Sequence, residues 1–254
     1  MATLSFYEKA RAAELVAKAC RVLGKQEMTH GALGHVSYRL DDGHMLIKAK
    51  GVEESALRFT EPKDIIEIDF NGDPVDAPEG LRPPSECFIH IQIMRANPSV
   101  QSVIHCHPEH AVLMTIVDCE MIPIYGPARP GSQIPIQGLP IYQRSHTITT
   151  PEMGDALMEV MGPSKVALMR GHGITAYGSS VKDATVQALS LNEYVTMLYK
   201  AYLVGTPRPL PDEDIADMRT DRGDRPRTRG TAGGEASMLA GWRYYCGLTG
   251  EDDE

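Results

Sequence analysis

Several things are scarce in this chain of 254 residues, and each scarcity closes off a class of protein. The five cysteines are an odd number and include no C-x-x-C pair, so no disulfide framework is indicated. Cys20, Cys87, Cys106, Cys119 and Cys246 read instead as reduced thiols of a cytoplasmic protein. No apolar run approaches the ~20 residues that a membrane helix needs. The opening stretch MATLSFYEKARAAELVAKAC carries charges through its apolar positions, so it reads as a surface helix rather than a signal peptide. Basic residues are outnumbered, 25 Lys and Arg against 34 Asp and Glu, leaving a net charge of -9. That balance argues against nucleic acid or an anionic membrane as the main partner. Neither an internal repeat nor a low-complexity tract is present. What remains is a chain long enough to bury a sizeable core, as one large domain or two small ones.

Apolar spacing places the elements. Ala12, Leu15, Val16, Ala19, Val22 and Leu23 predict a helix over residues 5–23, with Gly24 as its stop. VSYRL, HMLIKA and DIIEIDF predict a meander of short strands between turn signals. Ser85, after Pro83-Pro84, is the expected N-cap of a second helix that ends before Asn97-Pro98. SVIHCH reads as a strand, and Pro108 starts the helix AVLMTIV. Residues 120–148, rich in Pro, Gly and Ile, suggest strands and turns around a pocket. Thr150 opens a helix that Gly162 closes, and VALMRGHGITAYG reads as strand, turn, strand. After a weak capping box of Ser180 and Asp183, Val181, Ala184, Ala188, Leu191, Val195, Leu198 and Tyr202 form one seam of a long helix, suited to core or subunit packing. Residues 1–210 are the expected main domain. After Pro211 the chain becomes polar and Arg/Gly-rich (DRGDRPRTRGTAGGEAS), which reads as a mobile excursion, and within 211–254 MLAGWRYYCGL reads as a short aromatic helix. Interleaved elements without regular βαβ alternation predict one α/β domain with a largely antiparallel sheet.

Chemistry enters at SVIHCHPEH, residues 102–110. In a strand, positions i and i+2 share a face, so His105 and His107 present two imidazoles side by side while Cys106 turns away. Two neutral imidazoles are half of a divalent-metal site. Of the nine histidines, His172 is the natural third: it sits between Gly171 and Gly173, which permit close approach of another group. Those glycines serve a plain hairpin equally well. Glu86, in the first turn of the helix opened by Ser85, is the candidate carboxylate, and its bland alternative is an ordinary helix-terminal acid. Three His with a nearby carboxylate would make an open, catalytic metal site, although spacing alone does not bring these segments together.

PSECFIHIQIMRANPSVQSVIHCHPEHAVLMT followed by LMRGHGITAYGSSVKDA resembles the class II aldolase/adducin family over residues 8–205 or so. The family pattern is a Ser-Glu at a helix start, then an H-x-H strand, then an H-G turn before a long helix. The resemblance implies a three-layer α/β/α fold around a central mixed sheet, and a homotetramer with sites at subunit boundaries. It assigns His105, His107 and His172 as ligands of a divalent metal (Zn2+, Mn2+ or Fe2+) and Glu86 as acid/base.

Sugar-phosphate aldolases of this family carry Gly-Asn-x-Ser and Thr-Pro-Ser-Gly segments and a second Ser before the catalytic Glu. Here those stretches read Gly34-His35-Val36-Ser37 and Lys48-Ala49-Lys50-Gly51, and Pro84 replaces the extra Ser. His35 and Lys50 would supply a positive, flatter site suited to a carboxylate, with Ser85 beside it. GALGHVS, IKAKG, TTPE and LMRGHGI look more like the decarboxylase branch, which includes enzymes acting on 3,4-dihydroxyphthalate and on a hydroxypyridine dicarboxylate. The expected chemistry is proton delivery by protonated Glu86 to the ring carbon bearing the leaving carboxylate; near neutrality this requires a raised pKa, for example by burial, which the sequence does not show. Arg170 either orients substrate or braces its turn, with bracing favoured, and Tyr125 and Arg129 are expected in the pocket-like loop on composition alone. Trp242, Tyr244 and Tyr245 either pack an end helix onto the core or close a neighbouring subunit's site. Three alternatives stand beside this reading. Lys50 and Pro84 count against a sugar-phosphate aldolase or epimerase. Oxygen uptake would mark an iron-dependent oxygenase. The intact His and Glu set argues against a non-catalytic adducin-like domain.

Overall fold

The computed structural model describes residues 5–52, 54–219 and 234–254. Its helices are α1 (Phe6–Lys25), α2 (Cys87–Ala96), α3 (Glu109–Met114), α4 (Ile134–Gln137), α5 (Pro151–Met161), α6 (Val181–Val204), α7 (Asp212–Arg219) and α8 (Gly234–Thr249). Its strands are β1 (His35–Arg39), β2 (His44–Lys48), β3 (Lys50–Gly51), β4 (Ile65–Asp69), β5 (Pro74–Asp76), β6 (Leu81–Arg82), β7 (Ser102–Cys106), β8 (Ile141–Tyr142), β9 (Val166–Met169) and β10 (Gly173–Gly178).

Eight strands form one sheet in the order β5-β4-β2-β1-β7-β10-β9-β8, antiparallel throughout except for β8 on β9. β3 and β6 make a separate two-stranded ribbon. Alternation along the central strands divides the core in two. Val36, Ile104, Cys106, Ile174 and Ala176 pack against α1, α6 and α8 on one face. Met45, Ile47, Ile66, Ile68, Val103 and Tyr177 pack against α2 and α5 on the other. The result is the three-layer α/β/α arrangement with a largely antiparallel mixed sheet. Among the described residues no helix is long and apolar enough to cross a membrane, and all five cysteines are free thiols.

Local chemistry explains the elements and several departures from expectation. Ser5 caps α1 in a full capping box with Glu8. The helix runs through Gly24 instead of stopping there. A Cβ at that position would lie 2.3 Å from the backbone nitrogen of Arg58, so the glycine allows residues 57–59 to lie against the helix. Along α6, Val181, Ala184, Ala188, Leu191, Val195 and Leu198 are all buried and Tyr202 half-buried, as the seam predicts. Its capping box is half-formed. Ser180 accepts from the Asp183 N–H, but the Asp183 carboxylate is taken by Ser179 and Lys165. Residues 120–148 contain a short helix, α4, besides turns and β8. The aromatic end segment packs onto the core: Trp242 and Tyr245 are buried, the Trp242 Nε1–H donates to the Asp253 carbonyl at 3.2 Å, and Tyr244 is 61 % exposed. Part of the region expected to be a mobile excursion is helical, in α7 and at the start of α8. Residues 220–233 of that expectation lie outside the described residues.

Candidate metal centre

The end of β7, the β9–β10 turn and the start of α2 converge on one point. Single ligand atoms of Glu86, His105, His107 and His172 all lie within 4.8 Å of one another. The His105 and His107 rings have centroids 4.6 Å apart, and His172 stacks on His107 at 5.2 Å with planes 12° apart. Spacing could not bring these segments together. Pairing of β10 with β7 does it, placing Gly173 beside the strand end that carries the H-x-H pair.

Each side chain is aimed by a specific contact. His105 is fully buried, and its Nδ1 lies 2.9 Å from the Ile174 carbonyl. A carbonyl only accepts, so Nδ1 carries the proton and Nε2 is left with a bare lone pair. His107 Nδ1 meets Thr29 Oγ1 at 3.4 Å. His172 lies in a turn closed by its N–H to the Met169 carbonyl (3.0 Å), with Gly171 at φ +60°. Glu86 Oε1 accepts from the Ile148 N–H at 2.9 Å, which turns Oε2 toward His105 Nε2 (3.3 Å) and His172 Nε2 (3.4 Å).

Two observations fit a bound cation. Among the described residues, His105 Nε2 and His172 Nδ1 are the fully buried side-chain nitrogens without a hydrogen-bond partner. The bare His105 Nε2 also faces a carboxylate oxygen, so two electron-rich atoms point at each other inside the protein. A divalent ion takes up the His105 Nε2 lone pair and separates it from the carboxylate oxygen, and imidazole and carboxylate donors suit zinc, manganese or iron.

The electrostatics correct two expectations. Burial works to raise the Glu86 carboxyl, but positive charge at the His105 and His172 side, carried by a proton or by a metal ion in its place, outweighs it and holds the group well below the usual carboxylate range. Glu86 is therefore an ionised carboxylate in the resting site, not a carboxylic acid created by burial. Burial, with the neighbouring His90 and His105 rings, likewise holds His35 far below the usual histidine range. His35 is a neutral group and adds no positive charge. His107, pushed down to about 3 by burial and the adjacent rings, is neutral as well, as a metal ligand requires.

A scan against protein-family patterns matches residues 14–199 to the class II aldolase and adducin N-terminal domain. The chain belongs to the class II aldolase and adducin family. It is 33 % identical over 214 residues to a 3,4-dihydroxyphthalate decarboxylase of Arthrobacter keyseri, covering 82 % of this chain and 86 % of that one. An enzyme of the same description from Rhodococcus jostii (strain RHA1) is 34 % identical over 209 residues, with 80 % and 86 % covered. The crystal structure of an aldolase II superfamily protein from Pseudomonas syringae superimposes with a TM-score of 0.79 at 20 % identity, covering 97 % and 94 % of the two chains. This member of the aldolase and adducin family is a metal-dependent carbon–carbon lyase.

Other expected residues fall at varied distances from the centre of this class II aldolase-type site. Glu86 is the N-cap residue of α2 and does not cap it; Ser85 lies one position earlier and is exposed. Ser85 Oγ accepts from Lys50 Nζ at 3.4 Å, which puts the Lys50 ammonium at the lip beside Glu86. The Arg170 backbone N–H donates to the Tyr142 carbonyl and its carbonyl accepts from Ser145 Oγ, contacts of the main chain that do not involve the guanidinium. Arg129 pairs with Glu193 at 3.2 Å and, with Tyr244 and Tyr245, lines a separate cavity of about 310 Å³ between α6 and α8. Tyr125 donates to the Pro130 carbonyl.

Two groups escaped the sequence reading. Arg82 pairs directly opposite Lys50. His90 lies fully buried against His35 and Ser37. The spacing of Glu86 and His90, four apart on one helix, with His35 and Ser37 two apart on one strand, was the available signal.

Gly173 offers a direct check on this geometry. A Cβ there would come 2.2 Å from the Cys106 carbonyl oxygen and 2.9 Å from the His107 ring. Gly173→Ala is expected to displace His107, destabilise the fold by ~1–3 kcal/mol and weaken metal binding. Thermal unfolding together with metal titration of the variant reads both effects.

Proposed function

We propose that this enzyme decarboxylates a hydroxylated aromatic dicarboxylate, with 3,4-dihydroxyphthalate as the reference substrate, and that His105, His107 and His172 hold its divalent metal. The observation that carries the reading is the cationic lip beside the metal-binding cluster. Lys50 and Arg82 face each other across the β3–β6 ribbon, both are exposed, and neither has a carboxylate partner among the described residues. Like charges directly opposite on a ladder repel each other, and an anionic group seated between them relieves that. A planar carboxylate held there is the non-leaving group of a dicarboxylate. The similarity to the decarboxylases of Arthrobacter keyseri and Rhodococcus jostii supports the same substrate class.

A divalent ion on the three imidazoles supplies Lewis-acid stabilisation of the charge left when the carbon–carbon bond breaks. The rest is done by the chain. Lys50 and Arg82 anchor the spectator carboxylate and so orient the ring. Glu86, ionised at rest, takes the proton of the substrate hydroxyl neighbouring the leaving carboxylate. It returns that proton to the ring carbon bearing this carboxylate. Carbon dioxide departs, the electrons of the broken bond restore the aromatic ring, and solvent reprotonates the hydroxyl. The Ile148 N–H to Oε1 keeps Oε2 pointed into the site during both transfers.

Assembly as a homotetramer with sites at subunit boundaries belongs to the same proposal. Ile116 and Val117 are 56 % and 49 % exposed, and Ile116 abuts the Gly171 turn that carries His172. Five free thiols fit residence in a reducing cytoplasm.

The test is carbon dioxide release from 3,4-dihydroxyphthalate and related hydroxy-dicarboxylates, on metal-stripped protein repleted with manganese, zinc or iron(II). Metal-dependent release is the expected result. No release on any member of the panel, with metal bound, sinks the proposal and returns the substrate to aldol or oxygen chemistry. In an active enzyme, Lys50→Ser is expected to raise KM by ~10–100-fold, the range for a lost hydrogen bond to a charged group, while metal content stays unchanged. Equal losses in substrate and metal binding would indicate misfolding instead.

A further inference from the structure

Behind His35 runs a chain of buried polar groups that the proton transfers above do not use. His35 Nδ1 lies 2.7 Å from His90 Nε2, and His90 Nδ1 lies 2.7 Å from Ser37 Oγ. Ser37 Oγ in turn donates to the Val103 carbonyl at 3.4 Å. His90 and Ser37 are fully buried and His35 is 6 % exposed. All three stand on the same side of the sheet: His35 and Ser37 alternate on β1 opposite His105 and Val103, and α2 lowers His90 onto them.

The direction of the chain follows from its far end. The Val103 carbonyl cannot donate, so the Ser37 hydroxyl hydrogen goes to it and Ser37 Oγ accepts from His90 Nδ1–H. The Val103 carbonyl also interacts with the His90 ring, in the same sense. With its proton on Nδ1, a buried His90 without a carboxylate partner leaves Nε2 as an acceptor. Burial pushes His90 down to about 3, in keeping with a neutral ring. A contact of 2.7 Å between two ring nitrogens holds a single proton, which must then sit on His35 Nδ1. That is decided by the chain and not by His35 itself. The remaining nitrogen, His35 Nε2, has no hydrogen-bond partner among the described residues. Unlike His105 Nε2 it is not fully buried, and the His35 ring stands 5.2 Å from that of His105, beside the metal centre.

We propose that His90 and Ser37 are positioning residues: they lock the His35 ring with its proton on Nδ1 and present Nε2 to the substrate as a hydrogen-bond acceptor. What meets Nε2 rests on the proposed function. It is a second hydroxyl of the aromatic ring, distinct from the one that Glu86 deprotonates. His35 then selects hydroxylated rings by accepting, while Lys50 and Arg82 select the carboxylate by donating. The division explains why a neutral imidazole stands next to a cationic lip instead of adding to it.

Neutron diffraction from zinc-loaded, deuterium-exchanged crystals tests the positioning directly. Deuterium on His35 Nδ1 and His90 Nδ1, with neither Nε2 labelled, is the expected pattern. Deuterium on either Nε2 overturns the proposal. Two substitutions test the consequence. His90→Gln retains an acceptor for His35 and should leave KM for a dihydroxylated substrate within about threefold of the parent. His90→Phe removes it and should raise KM about tenfold, the scale of one lost hydrogen bond, with kcat within about twofold and zinc still stoichiometric. Equal KM values for the two variants overturn the positioning role. The diffraction experiment needs neither a variant nor turnover. A failure of His90→Phe to fold therefore leaves the test intact. Absence of decarboxylation beside the expected deuterium pattern would remove the proposed function and keep the locked His35.

Discussion

Glu86→Gln is expected to lower turnover by ~10²–10⁴-fold, the usual contribution of a positioned acid/base, with metal content near normal. Gln is nearly isosteric with Glu, so the helix start and the Ile148 N–H contact to the side-chain oxygen persist. Under the proposed function the three imidazoles remain to bind the metal, and the lip of Lys50 and Arg82 remains to bind substrate. What disappears is the capacity to take a proton from one substrate atom and give it to another. The loss should therefore fall on kcat, with KM shifted little. Metal analysis, steady-state kinetics and thermal unfolding of one preparation suffice. Turnover within a few-fold of the parent would remove Glu86 from the proton path, and loss of metal would recast it as a structural ligand.

Stripping the metal is expected to bring turnover to background and to lower the melting temperature, both restored by repletion. The stability effect follows from linkage. An ion that binds the folded chain at a thousandfold its Kd adds ~4 kcal/mol, on the order of 10 °C for a chain of this size. Without it, His105 Nε2 is buried without a hydrogen bond and the Glu86 carboxylate faces that bare ring nitrogen. His105→Ala should reproduce the stripped state irreversibly. Its ring is fully buried and tied to the Ile174 carbonyl, so no other side chain can take its place. Calorimetric metal titration and unfolding curves with and without chelator read the effect. An unchanged melting temperature on chelation would mean that the cluster binds no metal.

Both experiments probe residues that were legible before the fold was known, and the reasons differ by residue. The seam of α6 was readable because burial on one helix face imposes a period of 3.6 regardless of what covers it. The H-x-H pair was readable because a strand alternates. Gly24 reads as a helix stop in the sequence, yet it serves the approach of residues 57–59, a contact remote along the chain. Ser85 is the expected cap of a helix that instead starts after Glu86, whose side chain caps nothing and turns to Ile148 and the histidines. The ionisation of Glu86 and His35 was misjudged for a related reason. Burial predicts one direction for a carboxylate, and the rings packed around it reverse that direction.

By itself, then, the sequence determined the residue types of the centre, the family pattern that orders them, and the periodicities that build three layers around a sheet. Those properties are local, set by side-chain chemistry and by spacing along one strand or one helix. Tertiary structure alone decided that His172 meets the H-x-H pair, that Glu86 is ionised among them, that Arg82 faces Lys50, and that His90 and Ser37 stand behind His35. Each depends on which strand pairs with which and in what register, and hydrogen bonding and charge act over a few ångströms in space irrespective of separation along the chain.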